Sequence, residues 1–450
     1  MPWLQVQILL GPFRTWSRNV FMKLRDLFNR ETLAKAPADT LKKAACLLLF
    51  FYLLAGVIYS TVLGPVVRFS DEAIYLGISA NILHGLGYSI DGVHLTAWRA
   101  PGYTYFLVLI RSLGGGFFWI RVVQFFLAGA TILLISRICS EKQRPGSLLF
   151  ATVFVMCYPL FFYTSGTLYP QTLSAFLFVL ALAFTLITSR GWVLNMVTGL
   201  AFGALILTVP TFLFTLFVLV GTAWWLKILR WRDVGVILIA AFLTVGSWTL
   251  RNAICFHQFV PVASNSGLNL LVGNNATTTP YAAAAEPIVG DYLMYVDRNG
   301  MDEFAGDRYY RDTALAWIKG HPDDAITLYF EKVLSFFSVV NVYSPETHGE
   351  ISPWKQIVMG ISYVLLLALV CWRLVEVRRF PLISREKLFL MVYVLTAFTS
   401  AIFFCRIRLR LPYDYLLIAV ITLHLSRRLE VWLAANQIAA RATPPEEREP

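Results

Sequence analysis

Residues 68–103 read RFSDEAIYLGISANILHGLGYSIDGVHLTAWRAPGY and follow the first long apolar segment of the chain. They place two adjacent carboxylates, Asp71 and Glu72, where a membrane-spanning helix would meet water, and charge beside lipid is costly unless it has a function. The pattern after them predicts a short helix over residues 73–83, with Ser70 as its N-cap. The carboxylates therefore have two interpretations: they stabilise the start of this helix, or they belong to a site.

The composition excludes an ordinary soluble domain. Of the 450 residues, 57% are hydrophobic and 14% are charged, and the mean hydropathy is +0.63, which is typical of a polytopic membrane protein. The net charge of +11 comes from basic residues that gather in short clusters between apolar runs. Such clusters mark the cytoplasmic side of membrane proteins, so nucleic acid is not expected as a partner. The six cysteines show neither metal-type nor redox-type spacing.

The apolar runs predict an all-α polytopic membrane protein with about ten transmembrane helices and both termini inside. The predicted spans are residues 44–63, 118–138, 147–163, 170–188, 192–208, 211–226, 234–250, 354–372, 388–404 and 412–426. Residues 101–112 are apolar but short, and three glycines follow them, so we predict an interfacial or re-entrant helix there.

The topology divides the chain into three regions. They are residues 1–43, a basic cytoplasmic N-terminal segment; residues 44–426, the membrane domain; and residues 427–450, a cytoplasmic tail. Two long loops of the membrane domain lie outside: residues 64–117, with interfacial helices, and residues 252–352, a large mixed loop. Within the second loop the spacing predicts helices over residues 302–338, whereas residues 261–290 look irregular.

A triplet of alternating arginines precedes the last predicted span: Arg406, Arg408 and Arg410. Because a guanidinium donates two parallel hydrogen bonds to a phosphate, the triplet predicts an anion site at the outer surface. The alternative is that these side chains only anchor the helix at the membrane interface. Outward segments do not normally collect positive charge, which favours the site.

Four motifs, in this order, resemble the GT-C glycosyltransferases, and most closely their protein O-mannosyltransferase and lipid A aminoarabinose transferase branch (glycosyltransferase family 39-like). The motifs are S-D-E-A after the first span, R-A-P-G-Y at the interfacial helix, R-N-A-I-C-F-H-Q-F-V-P-V-A-S-N-S-G-L-N-L-L-V-G-N-N in the long loop and R-x-R-L-P-Y at the last span. The resemblance covers about residues 44–426. It implies a hexosyl- or pentosyltransferase of the cell (inner) membrane that uses a polyprenyl-phosphate sugar on the periplasmic side. The acceptor would be a hydroxyl of a lipid, a glycan or a protein.

The resemblance also implies roles for individual residues. Asp71 would be the general base that deprotonates the acceptor, and Glu72 would support it. The donor phosphate would be bound by Arg99, Arg406, Arg408 and Arg410. The candidates for substrate binding are Tyr88, Tyr103, Asn265, Asn269 and Asn274. For the asparagines, with Gly267 and Gly273 between them, the pattern favours tight turns over the site, and contact with sugar hydroxyls is the alternative.

The sequence departs from the family pattern at two positions. Related chains often carry an acidic residue after the third span, where this one has Tyr169-Pro170-Gln171. Some carry one before the basic residue of the proline motif, where this one has Trp98. Both departures weaken any implied metal site. Because the histidines also lack paired ligand spacing, we expect no cofactor and no essential metal, with a divalent ion left open. His257 is the best outward candidate, and a packed loop histidine is the alternative for it.

A carrier or flippase of lipid-linked saccharides is the competing interpretation. It would also need basic residues for a lipid phosphate, but it would need a site that is reached from both faces of the membrane. The polar candidates lie on one predicted side, and no internal repeat is evident, which favours the enzyme. A polymerase or ligase of surface glycans would share the donor chemistry but not this motif order.

Overall fold

The computed structural model describes residues 38–140, 146–188, 190–280, 287–339 and 353–442. Most of the predicted N-terminal segment, the end of the tail from residue 443 and His348 lie outside the described residues. Within the described ranges the regular structure is helical, apart from an isolated β-bridge between Ser89 and Leu95. The expected all-α class is therefore confirmed.

The helices follow one another along the chain with short connections. In order they are α1 (Ala38–Leu63), α2 (Ser70–Leu83), α3 (Pro101–Ser112), α4 (Phe117–Cys139), α5 (Ser147–Met156), α6 (Pro159–Ser165), α7 (Gln171–Thr185), α8 (Trp192–Thr208) and α9 (Phe212–Trp225). The remainder are α10 (Trp231–Phe256), α11 (Ser266–Gly273), α12 (Pro287–Arg298), α13 (Glu303–Gly320), α14 (Pro322–Phe336), α15 (Pro353–Val375), α16 (Ser384–Ser400) and α17 (Ile407–Ala442).

Four of the described helices, α1, α4, α10 and α15, are long and apolar enough to cross a membrane. The pair α5 and α6 would make a fifth span, although the two are bent by 75° at their junction. Helices α7, α8 and α9 are apolar but shorter. The protein is thus a polytopic helical membrane protein, and the count of ten spans stays a prediction from the sequence.

Two predicted spans differ from the helices that form. Residues 147–163 are not one helix, because the chain breaks between α5 and α6 just before Pro159, and proline disfavours helix in the residue that precedes it. The last span starts earlier than residue 412 and continues further, as α17. Pro412, the first residue of the predicted span, lies inside the helix, where its missing N–H removes one backbone hydrogen bond.

Helix α17 is the centre of the bundle. Every residue from 411 to 424 is buried, and the helix packs against α4, α5, α7, α15 and α16. Helices α8 and α10 pack closely against each other, because Gly199 lies on the backbone of Ile237 and Gly203 lies on Thr244. A Cβ atom at either glycine would overlap these neighbours, so small residues set the approach, as in membrane helix pairs generally.

The long outer loop contains more helix than the sequence indicates. Helices α13 and α14 confirm the helical prediction for residues 302–338, but α11 forms within residues 261–290, which the sequence predicts to be irregular. Gly267 and Gly273 therefore belong to a helix and not to tight turns. Both are needed for space, since a Cβ atom would overlap the backbone carbonyl of Asp307 in the first case and of Phe403 in the second.

Candidate active site

Helix α2 begins in a way that separates its two acidic residues. Phe69 is the N-cap, and no side chain caps the helix there, so Ser70 is the first helical residue and not the cap. The carboxylate of Glu72 instead accepts hydrogen bonds from the backbone amides of Arg68 and Leu168, both at 2.7 Å. Glu72 is buried and is not part of the cavity described below. It ties two chain segments together, which differs from the expected role in catalysis.

Asp71 turns to the other side and meets two arginines. One carboxylate oxygen pairs with Arg99 and the other lies 3.5 Å from the Arg408 guanidinium. The hydroxyl of Tyr169 donates to the same second oxygen at 2.8 Å. The side chain of Asp71 is 22% exposed. Although three partners hold its carboxylate, a ligand in the cavity can still reach it.

These partners decide the charge of Asp71. Burial alone would raise the pKa of its carboxyl, but Arg99, Arg408 and Tyr169 outweigh burial and hold the pKa below its ordinary value. The carboxylate is therefore ionised at neutral pH. A base held this way is weak until its cations are engaged elsewhere, because each ion pair stabilises the unprotonated form.

Arg99 is positioned by backbone contacts on both sides. The hydroxyl of Tyr88 donates toward the carbonyls of Arg99 and Ala100, at 3.0 and 3.2 Å. The carboxylate of Glu303 accepts from the Thr96 hydroxyl at 2.6 Å and from the Ala97 amide at 3.0 Å, which attaches α13 to this loop. The Nε atom of Arg99 is buried and has no hydrogen-bond partner among the described residues, so the guanidinium retains donor capacity.

The arginine triplet does not act as one unit. Arg408 faces Asp71 and lies over the Tyr169 ring, with its guanidinium carbon 4.8 Å from the ring centroid. Arg406 is buried with its guanidinium 4.2 Å from the Phe404 ring centroid. Arg410 faces the bundle core, where it pairs with Asp414 at 3.4 Å and donates to the backbone carbonyls of Phe336 and Ser338, both at 2.9 Å. Arg410 therefore does not reach the cavity, contrary to the expected phosphate contact.

A cavity of about 360 Å³ lies beside Asp71. Its charged lining residues, among those that the structure describes, are Asp71, Arg99 and Arg408. Neutral polar groups and apolar side chains complete the lining. They include Tyr75, Tyr169, Gln171, Thr208, Thr211, Phe214, Asn265, Ser266, Asn269, Thr399, Ser400, Phe403, Phe404, Leu409 and Tyr413. Every connection that the topology predicts to lie outside contributes to this lining. The cavity thus contains two guanidinium groups and one ionised carboxylate.

The candidates for substrate binding divide into two groups. Asn265 and Asn269 line the cavity. Tyr88, Tyr103 and Asn274 do not, because their polar atoms are engaged within the protein. Tyr88 binds the carbonyls beside Arg99, Tyr103 donates to Gln124 at 3.0 Å, and Asn274 joins Leu270 to Ile402 through its amide nitrogen.

Sequence reasoning missed three lining positions that come from short outer turns. Tyr169 supports both Asp71 and Arg408, Gln171 begins α7, and Thr208 ends α8. In the sequence, Tyr169 and Gln171 stand out only as part of the stretch that departs from the family pattern. Their position along the chain is the signal that could have identified them. Polar and aromatic residues in a short turn between two apolar spans, on the side predicted to be outer, are expected to lie near a site formed by the longer loops of that side.

Metal ligands are not grouped in the described part of the chain. Within it, no cluster of three or more His, Cys, Asp and Glu side chains could hold an ion. His257 is the C-cap of α10, with φ of 53°, and it does not line the cavity. Its side chain is exposed, so His257 is not the packed loop histidine that the alternative expects.

Comparisons with known proteins give a structural likeness only. Neither a protein-family model nor a curated protein sequence matches the chain. Among solved structures, ArnT from Cupriavidus metallidurans bound to undecaprenyl phosphate is similar, with 13% identity, a TM-score of 0.42 and coverage of 90% of this chain and 81% of that one. The apo state of the same protein gives 14% identity, a TM-score of 0.37 and coverage of 89% and 82%.

Proposed function

We propose that this chain is an integral-membrane glycosyltransferase that moves a sugar from a polyprenyl-phosphate donor to an acceptor hydroxyl on the outer face of the membrane. The observation that carries the proposal is the position of Asp71 between Arg99 and Arg408 at the cavity. A general base and two phosphate-binding groups are what such a transfer needs within one site. The acceptor is a lipid, a glycan or a protein, and the transferred unit is a hexose or a pentose.

Donor binding would change the state of Asp71. A phosphate that enters the cavity accepts charge-assisted hydrogen bonds from Arg99 and Arg408 and competes with Asp71 for them. With its cations shared, the carboxylate binds a proton more readily, so the base becomes stronger when the donor is present. The retained donor capacity of Arg99 at Nε supports this exchange of partners.

These groups account for every bond and proton in the transfer. The acceptor oxygen forms a bond to the anomeric carbon of the sugar while its proton passes to the Asp71 carboxylate. The bond between the anomeric carbon and the phosphate oxygen breaks, and the electron pair leaves with the polyprenyl phosphate. Arg99 and Arg408 stabilise the negative charge that develops on this leaving group. Apolar lining residues such as Phe214 and Phe403 would contact the first units of the lipid chain.

The geometry favours the enzyme over a carrier. A carrier needs the charged site to open toward the second face. Next to Tyr413, which lines the cavity, Asp414 is fully buried and accepts from Tyr158 at 2.8 Å and from Tyr393 at 3.0 Å. This buried network joins α16 and α17 to the junction between α5 and α6, so an opening there would have to break several buried hydrogen bonds.

The test compares cells that lack the chain with cells that regain it as wild type or as Asp71→Asn. Mass spectrometry of surface glycans and lipids should show one sugar lost in the first cells and restored by the wild type. Asn keeps the size of the side chain but cannot accept the proton, so we expect turnover to fall by about 10²- to 10⁴-fold. Binding of undecaprenyl phosphate to the purified variant should be equal or tighter, since Arg99 and Arg408 lose a competing anion.

Asp291→Asn is the matched control, because Asp291 is exposed on α12 and away from the cavity. It should restore the sugar as wild type does. Full restoration by Asp71→Asn would remove Asp71 as the base, and an unchanged glycan and lipid profile in cells without the chain would remove the proposed function.

A further inference from the structure

Gln171 has an unexplained polar group at the cavity. It is the first residue of α7, lines the cavity and is 5% exposed. Its Oε1 atom is buried without a hydrogen-bond partner among the described residues. An amide oxygen left this way typically costs about 1 to 3 kcal/mol, and native proteins rarely keep such groups without a reason. A ligand in the cavity can supply the missing partner.

The chemistry of an amide restricts that partner. A carboxamide presents one accepting oxygen and a donating nitrogen, and the two are exchanged if the group rotates by a half turn. A phosphate oxygen only accepts, and Arg99 and Arg408 already serve it. A hydroxyl both donates and accepts, so it satisfies the Gln171 amide in either orientation.

The charge of the cavity adds a second restriction. Among the described lining residues, the single carboxylate of Asp71 faces the two guanidiniums of Arg99 and Arg408. The formal sum is therefore one positive charge, which suits a phosphate. An ammonium group on the sugar would have to compete with Arg99 and Arg408 for the single carboxylate of Asp71, whereas a neutral sugar meets neutral hydrogen-bonding groups.

We propose, building on the proposed function, that Gln171 binds a hydroxyl of the transferred sugar and makes the site selective for neutral sugars over amino sugars. Gln171 is then a specificity-determining residue at the start of α7, beside Tyr169, which positions Asp71. The substrate class is a polyprenyl phosphate that carries a neutral, hydroxylated sugar.

The test measures binding of three lipids to the detergent-purified full chain at pH 7. They are undecaprenyl phosphate, the same lipid carrying arabinose, and the same lipid carrying 4-amino-4-deoxyarabinose, which replaces one hydroxyl by an ammonium group. Wild type should bind the arabinose lipid about tenfold or more tightly than the amino lipid, a difference of about 1.4 kcal/mol or more. Gln171→Glu, which has nearly the same shape, should reverse this preference.

Gln171→Leu removes the amide without adding charge. It should weaken binding of the arabinose lipid by about tenfold and leave undecaprenyl phosphate unaffected, because one hydrogen bond to the sugar is lost. Gln258→Leu is the matched control: Gln258 lies outside the cavity, where its oxygen accepts from Arg308 at 2.8 Å. This variant should bind all three lipids as wild type does.

The outcomes separate the two proposals. If undecaprenyl phosphate binds equally to wild type and Arg408→Ala, the proposed function itself fails. If that lipid depends on Arg408 but the two sugar lipids bind equally, or Gln171→Glu keeps the wild-type preference, the inference about Gln171 is overturned and the proposed function stands. Melting temperatures show whether each variant folds. If Gln171→Leu does not fold, the lipid preference of Gln171→Glu decides whether the inference about Gln171 holds.

Discussion

Arg408 and Arg410 are two residues apart at the start of α17, yet they pair with different carboxylates in different surroundings. Positive charge is unfavourable at a helix N-terminus, so each arginine there needs a nearby anion or acceptor. Arg408 finds Asp71 at the cavity, and Arg410 finds Asp414 in the core. Under the proposed function a donor phosphate would replace the anion of Arg408, whereas the anion of Arg410 is fully buried in the protein.

This difference gives a paired prediction. Arg408→Ala should weaken binding of undecaprenyl phosphate by about 1.5 to 3 kcal/mol, the contribution of a charged hydrogen bond, with a near-normal melting temperature. Lysine at position 408 should rescue binding only in part, because it lacks the bidentate fork. Arg410→Ala leaves the buried Asp414 without its cation and should cost about 3 to 5 kcal/mol of stability.

The measurements are lipid binding and thermal melting on the same purified samples. The folded fraction of Arg410→Ala should keep wild-type affinity. Wild-type binding by both variants would mean that the arginines only anchor the helix. A folded Arg410→Ala protein that has lost binding would place Arg410 in the phosphate site after all.

At this scale the sequence predicts which residues matter better than it predicts where they point. Asp71 and Arg408 are identified by their charge beside apolar segments, and Arg99 is implied by the family resemblance; the three do meet at one cavity. Adjacent residues on a helix point about 100° apart, and residues two apart point to nearly opposite sides. The side chains of Glu72 and Arg410 therefore point away from the cavity that Asp71 and Arg408 line. Which residues face the cavity depends on the rotation of each helix about its axis, and the sequence does not determine this rotation.

Among the elements, α11 and α14 are joined by an unusual buried cation. Lys332 of α14 is fully buried, and its ammonium group donates to the carbonyl of Gly273 at 2.9 Å, to Asn274 at 3.0 Å and to the carbonyl of Phe403 at 3.1 Å. These contacts hold the end of α11 and the segment before Arg406 against α14. The position of the arginines thus depends on a loop helix some seventy residues earlier in the chain.

Burial lowers the pKa of Lys332 to about 8, while an unfolded lysine titrates near about 10.4. Between these values the unfolded chain binds more protons than the folded chain, so the free energy of unfolding gains a positive contribution as pH rises through this window. We expect the melting temperature of wild type, relative to Lys332→Met, to increase from about pH 8 to about pH 10. Thermal melting in detergent over this range measures the difference.

Lys319→Met is the matched control, because Lys319 is exposed on α13. Its melting temperature should follow that of wild type at each pH. A difference between wild type and Lys332→Met that stays flat, or falls with pH, would show that Lys332 is not a destabilised buried cation.

The sequence predicts elements where their pattern is local and misses those that depend on contacts. Long apolar runs and the proline that starts α14 correctly predict helices. Helix α11 is missed because its residues are rich in Gly and Asn, which favour turns in isolation. It forms because Gly267 and Gly273 let the helix pack directly on the backbones of Asp307 and Phe403, and this approach is visible only in the folded molecule.

At the scale of the whole molecule, the proposed function requires that the charged cavity open on one side of the membrane. The cavity is lined by the ends of spans and by the loops that follow them, and the basic clusters of the opposite turns lie elsewhere. Arg373 illustrates this second set: it is buried in a pair with Glu386 at 2.7 Å, between α15 and α16. The positive-inside rule predicts that such turns lie in the cytoplasm, and from this we expect the cavity to lie outside.

Single-cysteine labelling tests this topology. In a background without the six native cysteines, Asp297→Cys introduces a thiol at an exposed position of α12, and Arg232→Cys introduces one at an exposed position where α10 begins. A membrane-impermeant maleimide should label position 297 in intact cells and position 232 only after the membrane is permeabilised. Both sites are exposed, so a difference between them reports the side of the membrane and not burial. Labelling of position 297 only after permeabilisation would place the cavity in the cytoplasm. A transferase that uses its donor on the outer face would then be untenable.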